Sequence, residues 1–357
     1  MSEAVERYGL LGAWALVALG FVIAEPAFRD IATAQIIFGS QSTLLIVALA
    51  VVVVLLAGEF DMSVGAVVSV SATLLVYLNA EQGWPLLLAL VAVLAIGLLV
   101  GSANALITLR FGVPSIVVTL GMATLIAGIS AGIAGTAPRG GVSQPLIDTV
   151  SAQLFGLPVA FYIAVAVGFA LWFFVEQTPR GRHLVFAGRG HEVARLAGLR
   201  PDRYRAGALI AGSLLASLAG IVLVGLTGAS ASDAGNSFLL PAFAAAFLGS
   251  TTIKPGQFNV WGTFVAVYFL VTGVTGLQLL GYTGWVEQVF YGGSLLVAVI
   301  VTRVVARQRT RAAAAAAEAA ALAESPPGTA HPAAAPGAAA EATPAQAAAS
   351  AAKEATA

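Results

Sequence analysis

Long uncharged apolar stretches, broken by short polar interruptions, occupy the chain up to about residue 302. Stretches such as 82–109, 111–138 and 206–232 hold no Asp, Glu, Lys or Arg. A helix crosses a bilayer core with roughly 20 apolar residues, so these stretches read as spans. Divided at their turn signals, they predict ten segments, near 10–28, 35–57, 63–80, 85–109, 113–135, 157–175, 206–228, 238–253, 259–281 and 286–302. Those near 35–57, 113–135 and 238–253 are candidates for tilt, a break or re-entry. The predicted fold class is all-α, a polytopic membrane helix bundle of about ten transmembrane segments. Small residues four apart, Gly97 with Gly101, Gly128 with Gly132 and Ala216 with Gly220, fit close helix approach in lipid.

Beyond Arg311 the pattern stops and Ala and Pro dominate. A segment with few large apolar side chains buries too little surface to offset its ordering entropy. The expected organisation is a transmembrane domain over 1–311 and a disordered tail over 312–357. The first segment follows Glu3, Glu6 and Arg7 without a basic leader and ends at Ala24-Glu25-Pro26, which fits a retained helix better than a cleaved signal.

Composition agrees with the pattern: 59% of residues are apolar, 10% are charged and the mean hydropathy is +0.92. The net charge of zero hides an uneven distribution, because charges collect in loops and ends. No nucleic-acid partner is implied. Cysteine is absent, which removes disulfides and thiolate chemistry. With both termini cytoplasmic and ten alternating segments, Arg29 and Arg139 fall outside, while Arg7, Arg110, Lys254, the arginines from 180 to 205 and those from 303 to 311 fall inside. That is the positive-inside bias of a multi-pass membrane protein.

Enzyme signatures fail. Gly128-Ile129-Ser130-Ala131-Gly132 has the spacing of a nucleophile elbow, but all three histidines, His183, His191 and His331, lie in the basic loop or the tail. His191-Glu192 opens like a zinc motif, yet Arg195 stands where the second histidine belongs. No phosphate-binding G-x-x-x-x-G-K-[ST] sequence occurs. No cofactor is expected in this chain. Helix interiors carry essentially no ionisable residues, which argues against a proton-coupled carrier.

Two places carry more information. At Gly58-Glu59-Phe60-Asp61-Met62-Ser63-Val64-Gly65, either Asp61 or Ser63 can cap the following helix, and a polar lining for a solute path is the other reading. The second place is Arg180 to Arg205, which holds seven of the fifteen arginines. Within it Gly190 and Gly198 bracket a short helix with Val193, Leu196 and Ala197 on one face and Glu192 and Arg195 elsewhere. Gly198 and Pro201 are stop signals, and Asp202 is positioned to cap the next helix. A topogenic loop needs only charge, so the internal helix points to docking of a partner.

Four stretches resemble the membrane subunit of bacterial ATP-binding-cassette importers of the ribose type. Gly58 to Gly65 resembles G-G-I-D-L-S-V-G. Val113-Pro114-Ser115-Ile116-Val117-Val118-Thr119-Leu120-Gly121, after Asn104, resembles V-P-x-F-I-x-T-L-G. Gly181 to Gly198 resembles the loop that carries a coupling helix. Ala244 to Thr252, continuing to Gly262-Thr263, resembles A-A-x-x-L-G-G-T-S through G-T. Departures are Glu59 for a glycine, His191 for an asparagine and Lys254-Pro255-Gly256-Gln257-Phe258 for a glycine-rich turn.

The resemblance implies a second permease subunit, cytoplasmic ATPase subunits that bind ATP and Mg, an extracytoplasmic solute-binding protein and surrounding lipid. It implies that Glu192, Val193, Arg195, Leu196 and Gly198 meet the ATPase, and it makes Asp61, Ser63, Asn104, Ser115, Thr119 and Thr124 candidates for lining the path. Cargo could be a pentose, hexose, sugar alcohol, autoinducer-like sugar or nucleoside. The competing class is a self-contained secondary transporter or channel.

Overall fold

In the computed structural model, which describes residues 3–135, 137–302 and 304, the apolar stretches form α1 (Glu3–Ala24), α2 (Ile31–Gln35), α3 (Ser42–Leu56), α4 (Val64–Val76), α5 (Leu86–Phe111), α6 (Ser115–Ala134), α7 (Gln144–Ser151), α8 (Val159–Trp172), α9 (Pro179–Arg189), α10 (His191–Leu196), α11 (Pro201–Thr227), α12 (Asn236–Gly249) and α13 (Val260–Leu279). A last helix, α14 (Trp285–Thr302), follows. Among the described residues nine helical stretches are long and apolar enough to cross a membrane. The tenth predicted segment is α12, whose 14 residues extend about 21 Å at 1.5 Å per residue, short of a core of ~30 Å. The expected disordered tail and the arginines from 303 to 311 lie outside the described residues.

α3 sits at the centre. Its Leu- and Val-rich sequence is apolar all round, the pattern of a helix enclosed by others, and every residue from Ser42 to Leu56 is buried. Helices α8, α11, α12 and α13 pack around it. The predicted break near 35–57 falls at a wide helical turn, Ile36–Ser40, between α2 and α3. By contrast α6, a second candidate for a break, is continuous.

Small residues decide how close the helices come. A Cβ on Gly101 would lie 2.7 Å from the Ile210 Cα, and one on Gly220 2.8 Å from the Val68 carbonyl oxygen. Backbones of α5 and α4 therefore touch α11, as two of the three small-residue pairs predict. The third pair does not pack: a Cβ on Gly128 or Gly132 would meet nothing within 4 Å, because that face of α6 points away from the rest of the chain.

At the end of the bundle near Glu81, strand β1 (Arg139–Gly140) pairs antiparallel with β4 (Ala229–Ser230), while β2 (Gln153–Leu154) pairs with β3 (Leu157–Pro158). Arg139 contacts both oxygens of Glu81, at 2.6 and 2.7 Å. Ser130 is buried here and donates to Thr73 Oγ1 at 3.1 Å or the Ser232 carbonyl at 2.9 Å, the contacts of a packing serine.

One boundary is corrected. The segment predicted from residue 206 begins at Pro201, with Pro at the first helical position and Asp202 in the first turn. Arg203 and Arg205 therefore belong to α11 and not to the loop. Asp202 does not cap the helix, since the cap position is Arg200; its carboxylate lies 3.3 Å from Arg205 and favours the positive end of the helix dipole.

Candidate functional site

The arginine-rich segment folds as two short helices ahead of α11. Thr178 caps α9 by accepting the Gly181 N–H at 3.1 Å, with Pro179 at the first position. α10 follows directly and ends where the N–H groups of Ala197, Gly198 and Leu199 turn back to Val193, Arg195 and Ala194, each at 3.0 Å. Gly198 has φ +82°, a left-handed conformation that glycine adopts without a Cβ clash. Ala194 is fully buried, whereas Val193 is 59% and Leu196 88% exposed. The predicted Val193, Leu196 and Ala197 face therefore points outward, and it is Ala194 that anchors the helix. Glu192 and Arg195 face solvent and pair with each other at 3.3 Å.

A short apolar helix face left in water is unfavourable alone, since burying one Leu side chain contributes about 1.5–3 kcal/mol. Of the candidate docking residues, Glu192, Val193, Arg195 and Leu196 are exposed around α10, away from the buried Ala194, and Gly198 lies just past its end. Beside them, a cavity of about 340 Å³ lies between Arg182, Phe186 and Arg189 of α9 and the Lys254–Val260 turn. The Lys254 departure from the resembled motif meets Glu176 there at 2.8 Å.

The second candidate site is the junction between α3 and α4. Asp61 does not cap α4, and neither does the Ser63 side chain. The carboxylate instead accepts from Ser63 N at 2.8 Å and Ser63 Oγ at 2.5 Å, closing a tight turn ahead of the helix. Asn104 of α5 donates to Ser63 Oγ at 2.9 Å. From α6, Ser115 Oγ accepts the Phe60 N–H at 3.1 Å and Thr119 Oγ1 accepts the Met62 N–H at 3.0 Å. Five of the six path candidates therefore form one buried network that supplies partners for an irregular backbone. Thr124 stays apart, exposed on α6, with its hydroxyl donating to the Leu120 carbonyl at 3.1 Å.

The Asp61 carboxyl lies between the spans, and burial pushes it from 3.8 up to about 6, against the lowering effect of the two Ser63 hydrogen bonds. Its Oδ2 and the Asn104 Oδ1 have no hydrogen-bond partner.

What the sequence did not reveal is that these two places touch. Glu59, 4% exposed, is ion-paired with Arg205 of α11. Gly58, at φ +77°, places a would-be Cβ 2.8 Å from the Gly188 carbonyl of α9, and His191 Nε2 lies 3.5 Å from the Ala57 carbonyl. Positions 59 and 205 are 146 residues apart, so no local pattern predicts their contact. A signal was present nonetheless: a carboxylate where the resembled motif has glycine, close to the membrane, calls for a partner.

Nine helices long and apolar enough to cross a membrane, with the short basic helices α9 and α10 between two of them, define the class as a polytopic helical membrane protein. The chain belongs to the family described as the permease component of the branched-chain amino acid transport system, whose model matches residues 34–299. It is thus a permease subunit of an ATP-binding-cassette importer, as the four motifs implied. Its relatives include the autoinducer 2 import system permease protein LsrD of Photorhabdus laumondii, 32% identical over 83% of this chain and 91% of that protein. The protein of the same name from Yersinia pseudotuberculosis is 32% identical over 72% of this chain and 79% of that protein. No solved structure matches the chain.

Proposed function

We propose that this subunit carries a sugar or sugar-like solute inward across the bacterial cell membrane, driven by ATP hydrolysis in a separate subunit docked on α10. The observation that carries the reading is the outward-facing Val193 and Leu196 pair on an element outside the spans. An apolar centre rimmed by Glu192 and Arg195 has the make-up of a protein interface, apolar inside and polar at the edge. The sugar-like cargo rests on the relatives named for autoinducer 2 import. The arginines of α9 and α10 and the Arg7 backbone that accepts from Ile253 N at 2.9 Å lie on the side taken as cytoplasmic, which would put both termini there. A second permease copy, a solute-binding protein outside, ATP-Mg held by the ATPase and a separate tail over 312–357 complete the proposal.

The test is co-purification of the chain with a candidate ATPase subunit from the same organism, followed by uptake of autoinducer 2 into vesicles. Wild type should retain the ATPase and Val193→Asp/Leu196→Asp should lose it. Uptake that persists without the ATPase, and that follows an ion gradient, would overturn the importer reading in favour of a secondary transporter.

A further inference from the structure

We propose that the Glu59–Arg205 ion pair is a coupling strut, a positioning element that ties displacement of the docking loop to the α3–α4 junction and through it to α6. The inference rests on the function proposed above and adds a residue pair to it.

The junction is held from two sides. On one, Ser115 and Thr119 of α6 take up the N–H groups of Phe60 and Met62, and Asn104 of α5 holds Ser63. On the other stand α9, α10 and α11, at Gly188, His191 and Arg205. The contacts differ in kind. Gly58 against Gly188 is a close van der Waals approach of backbone to backbone, which resists compression steeply and resists separation hardly at all. The ion pair is attractive and charge-assisted. Glu59 is buried, so parting the two leaves an uncompensated carboxylate in the protein interior. With α9 pushing through Gly188 and α11 pulling through Arg205, the junction follows these two helices, which pack on each other and on α10, in both directions. Arg205 is steadied in turn by Asp202, 3.3 Å away on the same face.

The strut's carboxylate stands where the resembled motif carries glycine, so the motif itself does not depend on it. Its removal should therefore loosen coupling without dismantling the docking surface, which lies on α10.

The absence of cysteine gives a readout that needs no knowledge of the cargo. A single reporter, Leu125→Cys, is placed on the exposed face of α6 in the full-length chain, assembled with its ATPase in lipid nanodiscs. Thiol labelling rates are compared without nucleotide and after trapping with ATP and vanadate. The parent should show a several-fold change in rate. Glu59→Gln and Arg205→Gln should each reduce that change to less than about twofold, and the double variant should be no worse than either single one, as expected for partners in one interaction. In Glu59→Gln, which leaves no buried carboxylate, ATPase co-purification and the size-exclusion profile should be unaltered. A full response in Glu59→Gln, additive losses, or loss of the ATPase or the folded chain in Glu59→Gln would overturn the strut, leaving the pair a pin of the fold. A parent that binds no ATPase, or does not respond to trapping, would overturn the importer reading itself and the strut with it.

Discussion

The α3–α4 junction and α10 solve opposite problems. At the junction polar groups are buried: Asp61, Ser63, Asn104, Ser115 and Thr119 are all withdrawn from the surface and linked by hydrogen bonds. On α10 apolar groups are exposed, Val193 to 59% and Leu196 to 88%. A buried polar network is tolerated when its members are satisfied, and it then fixes one geometry. An exposed apolar pair is left facing solvent by the described residues. The first is therefore largely closed on itself, with Asp61 Oδ2 and Asn104 Oδ1 the members left without a hydrogen-bond partner among the described residues, and the second is open to a partner.

The largest expected effect breaks the second half of that contrast. Val193→Asp with Leu196→Asp should weaken ATPase binding at least ~30-fold, the equivalent of losing an interface hot spot. The permease alone should keep its melting temperature, since both side chains are already exposed. Binding measured by pull-down from nanodiscs, together with thermal unfolding of the isolated chain, checks both parts.

Next in size is a charge effect at the junction. The Asp61 carboxyl is raised from 3.8 to about 6 in the folded chain, so its neutral form is favoured by folding. Its contribution to stability is complete below about pH 4, declines as pH rises and is gone above about pH 6. At about 1.4 kcal/mol per pH unit, the span corresponds to roughly 3 kcal/mol. Asp61→Asn keeps an oxygen for Ser63 and does not ionise. The stability of Asp61→Asn relative to wild type should therefore grow between pH 4 and 6 and level off above, as followed by unfolding in detergent. A difference that stays constant with pH would contradict the account.

Close behind, Gly188→Ala tests the contact between the two regions. Its Cβ would fall 2.8 Å from the Ala57 carbonyl carbon and 2.9 Å from Gly58 N. Overpacking of this kind costs about 1–3 kcal/mol, seen as a lowered melting temperature. Smaller still, Thr119→Val removes the acceptor for Met62 N and should cost about 1 kcal/mol. Smallest is Arg195→Ala, which breaks an exposed pair with Glu192; the isolated chain should lose no measurable stability.

How far the sequence reached follows from which forces are local. Span positions were legible because the length of an apolar stretch is set by the bilayer, and nine of the segments appear as helices long enough to cross it. The α10 cassette was legible from Gly190, Gly198 and its spacing, including which residues share a face. Direction was not, because whether Val193 or Ala194 turns inward depends on α9 and α11. The start of α11 was misplaced because Arg203 and Arg205 read as loop charge. Pro201 followed by Asp202 was the signature that would have set it right. At the junction the sequence offers either Asp61 or Ser63 as a cap for α4, but the two bond each other, and Asn104 of α5 donates to Ser63. The Glu59–Arg205 pair, which ties the junction to α11, lay beyond any local pattern.

The central claim, that α10 meets the ATPase, is tested most directly by cross-linking. Because the chain has no cysteine, Leu196→Cys supplies a single thiol at the centre of the exposed face, and Phe155→Cys, 93% exposed in the turn between β2 and β3, serves as control. With a short bifunctional thiol reagent in the assembled complex, the account predicts a permease–ATPase adduct from position 196 and none from position 155. An ATPase that is bound yet cross-links from neither position, or equally from both, would contradict it.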